Sequence, residues 1–74
     1  RQQMIESMVA GLDEKLRANP DDVEGWQRLI RSYVVLGRAD DAKSALARAL
    51  AGLEGDKKDQ VSAFAAELGV KVDG

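Results

Sequence analysis

Apolar residues recur every three to four positions in four separate stretches of this chain, and no stretch alternates with period two over a useful length. Spacings of i, i+3, i+4 and i+7 put the apolar members on one face of a helix, so an all-α protein without a sheet is predicted. In the first stretch, about residues 2–18, the stripe is Ile5, Met8, Val9, Leu12 and Leu16. Gly11 lies inside that stretch and costs about 1 kcal/mol relative to alanine. A glycine in a helix interior lets a neighbouring helix come close. The second stretch, about residues 22–36, carries Trp26, Leu29, Ile30, Tyr33 and Leu36. The third, about residues 40–53, carries Ala42, Ala45, Leu46, Ala49, Leu50 and Leu53, and the fourth, about residues 57–68, carries Val61, Phe64, Ala65 and Leu68. Residues 70–74 are expected to be a frayed tail.

Helix-breaking residues separate the stretches. Asn19-Pro20 ends the first, because proline disfavours the α conformation in the residue before it. Asp21 is expected to cap the second helix, with Glu24 as the reciprocal partner of a capping box. Capping accounts for these carboxylates better than metal binding does. Gly37 supplies the left-handed residue that closes the second helix, Asp40 and Asp41 suit the start of the third, Asp56 can cap the fourth and Gly69 ends it. Short linkers make consecutive helices antiparallel neighbours. Between the second and third helices, bulky Trp26 and Tyr33 face small Ala42, Ala45 and Ala49, a large-against-small pairing that packs densely.

Composition narrows the chemistry. The 74 residues make one small domain, with 45% hydrophobic and 32% charged residues. A net charge of −2 gives no cationic field for non-specific nucleic-acid binding. No apolar run approaches the roughly 18 residues of a membrane span. The chain opens at Arg1, so it is expected to be a piece of a longer protein. There is no histidine and no cysteine, which leaves no Cys-His or Ser-His nucleophile and no ordinary zinc, haem or copper site. Met4 and Met8, which could in principle ligate haem iron, are expected to fill gaps in the core. No catalytic residue, cofactor or metal is assigned, and the fragment reads as non-catalytic.

The spacing Trp26-x2-Leu29-Ile30-x2-Tyr33, followed by Ala42-x3-Leu46 and Ala49, resembles the tetratricopeptide pattern. Ile30 stands where a small residue is usual, Leu46 where an aromatic is usual, and Glu54 where proline is expected. The resemblance implies a single tetratricopeptide-like domain over residues 1–74, a fragment of a right-handed superhelix of about four helices. Residues 1–19 would be the second helix of a preceding unit, 23–56 one complete repeat, 57–69 a following or capping helix, and 70–74 the tail. The longer run from Met8-Val9 through Asn19-Pro20, Gly25-Trp26 and Arg31-Ser32-Tyr33 to Val35-Leu36-Gly37-Arg38 resembles, more narrowly, the periplasmic tetratricopeptide region of the CcmI/CycH family of c-type cytochrome biogenesis factors. This second resemblance covers about two thirds of the chain. It implies a periplasmic domain of a membrane-anchored protein that holds apocytochrome c in a chaperone-like way, partly through the C-terminal helix of that apocytochrome. The apocytochrome would then pass to the haem-ligation machinery.

In the family it resembles, the first helix of each pair lines a concave groove. Carried onto this sequence, the partner-binding groove is Glu24, Gln27, Arg31 and Val34, continued by Val61 and Ala65 of the last helix. Arg28, Arg31, Val35 and Arg38 add a basic edge at about i, i+3, i+7 and i+10, and at least one of Val34 and Val35 is expected to be exposed. Such a face suits an amphipathic partner helix, with arginine gripping carboxylates through its planar fork. The plainer alternative is a solvated face with pairs such as Glu24 and Arg28, each worth about 0.3–0.5 kcal/mol. Two other roles stay open. One is homo-oligomerisation or scaffolding, since one complete repeat is fewer than the roughly three needed for a stable stack. The other is a regulatory domain of an enzyme.

Overall fold

A computed structural model describes residues 2–71, with side chains from residue 6 onward. The side chains of Met4 and Ile5 therefore lie outside the described residues, as does the end of the expected tail, 72–74. Four helices follow one another: α1 (Gln2–Ala18), α2 (Val23–Val35), α3 (Ala39–Gly52) and α4 (Gly55–Glu67). Among the described residues there is no strand. The architecture is all-α, a tetratricopeptide-like run of helical hairpins, and no helix among the described residues is long and apolar enough to cross a membrane.

Local chemistry explains the ends of α2, with one change of residue. Asp22, not Asp21, is the N-cap: its backbone is extended and its side-chain Oδ1 accepts the Gly25 N–H at 3.1 Å. Asp21 sits one position too early to reach that amide. At the other end Gly37 adopts φ +75°. Its N–H donates to the Val34 carbonyl, and the Arg38 N–H donates to the Tyr33 carbonyl at 2.8 Å. These are the paired bonds of a Schellman stop, and they satisfy carbonyls that the helix leaves open. The end of α4 repeats the arrangement, with Gly69 N–H to Ala66 and Val70 N–H to Ala65. That repetition corrects the frayed-tail expectation at Val70 alone. The residue after the stop often makes an apolar contact back onto the last turn, and Val70 is buried in the core. Asp56 is not the cap of α4 either; it lies in the first turn, after an extended Glu54 that makes no side-chain cap bond.

The core draws on every helix: Val9 and Leu16 from α1, Trp26, Leu29 and Ile30 from α2, Ala42, Ala45, Leu46 and Ala49 from α3, Val61 and Ala65 from α4. Leu53 closes it from the α3–α4 linker. The second helix is central, packing on each of the other three. The expected pairing of bulk on α2 with alanine on α3 holds, because Trp26 and all three alanines are buried. Tyr33 and Leu36 are half-buried against the same cluster.

Two polar devices fix how α1 enters. The Trp26 indole N–H donates to the Pro20 carbonyl at 2.8 Å, tying α2 to the turn before it. Asp13 of α1 pairs with Arg48 of α3 at 2.5 Å and with Arg17 at 3.4 Å. The Arg48 guanidinium also lies 5.3 Å from the centre of the Trp26 ring, a cation–π distance. Gly25 allows the closest approach. A Cβ built there would sit 2.8 Å from Leu16 Cδ2 and 2.7 Å from Asp22 Oδ2, so the α1–α2 crossing depends on the missing side chain.

Candidate functional site

The expected groove residues separate into two groups. Glu24, Gln27 and Arg31 come together with Arg28 and with Phe64 of α4, around an open concavity of about 200 Å³. Helical spacing puts 24, 27, 28 and 31 on one face of α2, and α4 lies alongside that face. Val34 is half-buried and packs against the core, so it offers little to a partner. The exposed valine is its neighbour Val35, 70% accessible.

Val61 and Ala65 do not continue the wall. Both are fully buried, at 0% exposure, because they form the stripe by which α4 meets the rest of the core. A residue cannot both seal that contact and meet a partner. Phe64 takes their place at the surface. It sits at the margin of the stripe, half-buried, with part of its ring facing the concavity.

The basic edge is also redistributed. Arg38 is engaged within the chain: its Nε donates to Asp41 Oδ2 at 2.6 Å, and its guanidinium lies 5.0 Å from the Tyr33 ring centre. Burial pushes the Tyr33 phenol above its ordinary value; Asp13 and Asp41 add to that, while Arg38 and Arg48 oppose it. Among the described residues, Lys15, Arg28 and Arg31 take part in no ion pair, and Glu24 does not pair with Arg28.

A second surface lies on the other flank of α2, where it meets α1. Met8, Gly11, Leu12, Lys15, Arg28 and Ser32 surround an open groove of about 320 Å³. An adjoining hollow of about 310 Å³ shares Met8, Arg28 and Ser32 and extends to Arg31 and Val35. Met8 is 72% exposed, contrary to its expected role as a core filler. Its position on the α1 stripe is real, but no helix among the described residues covers that edge. Gly11 receives no close neighbour, contrary to the helix approach expected there: a Cβ would meet nothing within 4 Å.

No family model matches the chain, and no solved structure does. Two curated proteins do. A cytochrome c-type biogenesis protein CycH from Rhizobium meliloti (strain 1021) is 45% identical over the whole chain, and the aligned segment makes up 20% of that protein. A CycH from Bradyrhizobium diazoefficiens is 50% identical over 57% of the chain, or 11% of its own length. The chain is therefore similar along its whole length to one segment of the Rhizobium meliloti CycH cytochrome c-type biogenesis protein, and it spans about a fifth of that protein's length.

Proposed function

We propose that this chain is a non-catalytic protein-binding module that acts in cytochrome c biogenesis. Its cargo is apocytochrome c, held partly through that protein's C-terminal helix and handed to the haem-ligation machinery. The carrying observation is the 45% identity along the entire chain to a protein named for that process. The helical-hairpin fold supports the reading, since such stacks present helix faces rather than reaction centres. On this reading residues 23–56 act as one tetratricopeptide unit, flanked by 1–19 and 57–69 from neighbouring units. The parent protein is anchored in the inner membrane with this part in the periplasm.

The cargo contacts the face of α2 that bears Glu24, Gln27 and Arg31, with Phe64 as the apolar contact. Arg31 grips a carboxylate of the bound helix; a hydrogen bond to a charged group is worth about 1.5–3 kcal/mol. Isothermal titration with C-terminal peptides of apocytochromes c from the source organism tests this. Binding is expected, and Arg31→Glu is expected to weaken it about tenfold or more, about 1.4 kcal/mol, with an unchanged circular dichroism spectrum. Absence of heat with every such peptide refutes the assignment.

A further inference from the structure

We infer that Arg48 is the positioning residue for α1: by joining Asp13 to the face of Trp26, it sets the angle at which α1 crosses the α2–α3 hairpin. Among the described residues α1 packs on α2 alone, and its backbone nowhere comes close to α3 or α4. The contact with α2 is apolar, made by Val9, Leu12 and Leu16, and is closest where Leu16 lies over Gly25. Apolar burial has no direction of its own, and helix pairs pack over a spread of about 15–20° in crossing angle. The apolar seam therefore holds α1 against α2 without choosing one angle. A polar link to a third helix makes that choice.

Trp26 supplies both points of attachment. Its indole edge donates to the Pro20 carbonyl at 2.8 Å, and Pro20 is seated on Gly52 at the end of α3, where a Cβ would stand 3.0 Å from the proline Cβ. That pins the turn after α1. Its ring face carries the Arg48 guanidinium, 5.3 Å from the centre, and the same guanidinium reaches Asp13 Oδ1 at 2.5 Å. Asp13 lies more than a full turn in from the Ala18 end of α1. The two attachments are thus separated along α1, and together they fix a direction rather than a point. The second one is stringent because Asp13 Oδ1 is shielded from solvent and has no well-aligned hydrogen-bond donor. Arg48 is the cation that compensates it from another helix. The other cation at Asp13 is Arg17, at 3.4 Å, which belongs to α1 and turns with it. A carboxylate left buried without its cation is costly, so without Arg48 the helix turns until water reaches Asp13. Arg48 does not line the cleft between α1 and α2, yet through this link it sets how far Met8 and Gly11 stand from Arg28 and Ser32.

Residual dipolar couplings of the backbone amides report the direction of each helix, and they do so independently of stability. In Arg48→Gln the direction of α1 is expected to shift by about 15–20° against α2 and α3, the latitude that helix packing allows, while the angles among α2, α3 and α4 stay as in the parent. Arg17→Gln removes only the cation that travels with α1 and is expected to leave every angle unchanged. Asp13→Asn removes the attachment without leaving an unpaired charge. It is expected to loosen α1, seen as couplings that shrink together along that helix and nowhere else. If Arg48→Gln does not fold, Asp13→Asn decides alone. Couplings along α1 that match the parent in both variants, with only a lower melting midpoint, would overturn the inference and leave the ion pair as a stabilising contact. Two other results would overturn it as well: Arg17→Gln turning α1 as far as Arg48→Gln does, or Arg48→Gln redirecting α3 and α4 along with α1.

Discussion

The same substitution, glycine to alanine, is expected to have opposite effects at two helix positions of this chain. At Gly25 the new methyl would lie 2.8 Å from Leu16 Cδ2 and 2.7 Å from Asp22 Oδ2, both closer than real Cβ contacts come. Leu16 is buried and cannot swing aside freely, and Asp22 is holding the Gly25 amide as the N-cap. Overpacking of a dense core costs about 1–3 kcal/mol, and a disturbed cap adds about 1 kcal/mol. Against this stands a helix-propensity gain of at most about 1 kcal/mol. The net expectation for Gly25→Ala is a loss of about 1–3 kcal/mol. In a domain of this size each kcal/mol lowers the melting midpoint by about 4–8 °C. At Gly11 a Cβ meets nothing, so Gly11→Ala collects the propensity gain alone, about 1 kcal/mol, and melts about 4–8 °C higher. Thermal melts and urea titrations followed by circular dichroism check both. A neutral or stabilising Gly25→Ala would refute the close α1–α2 approach, and a destabilising Gly11→Ala would refute the open face of α1.

Two other outcomes follow from the caps and the lone tyrosine. Asp22→Ala is expected to cost about 1 kcal/mol through the lost cap bond, whereas Asp21→Ala, which loses only a 4.0 Å pair with Lys57, should stay within about 0.5 kcal/mol of the parent; urea unfolding distinguishes them. Tyr33 is the only tyrosine, so absorbance titration reports it alone, and its midpoint should exceed the ordinary value of 10.0 because burial disfavours the phenolate. A folded-state pKa raised above the unfolded one gives stability that is complete below about pH 10 and is lost as the pH rises through the folded value. Tyr33→Phe should therefore flatten the alkaline loss of stability, and an unchanged alkaline limb would contradict the half-buried placement.

The helices were legible because their signals are local. Pro20 and Gly37 set chain breaks through their own backbone chemistry, and the stripes on α2 and α3 were dense enough to name Trp26, Leu29, Ile30 and the three alanines as core. The cap is not legible to the residue, since Asp21 and Asp22 are adjacent carboxylates and only the backbone angle at Asp22 selects between them. Val70 is not legible as core because its burial comes from the Schellman turn at Gly69, not from helical spacing.

The candidate surface was less legible than the fold. Helical period assigns each residue an angle about its own axis and says nothing of what lies beyond it. From sequence, Val34 and Val35 compete for one exposed place, Val61 and Ala65 can be wall or core, and Met8 looks like interior. The neighbours decide each case: α4 turns Val61 and Ala65 into the core, while nothing among the described residues covers Met8. The sequence by itself determined the four helices, their breaks and the large-against-small seam of α2 with α3, because those follow from backbone preference and apolar spacing. Only the tertiary structure decided which flanks of α2 stay open, because exposure depends on where the other helices stop.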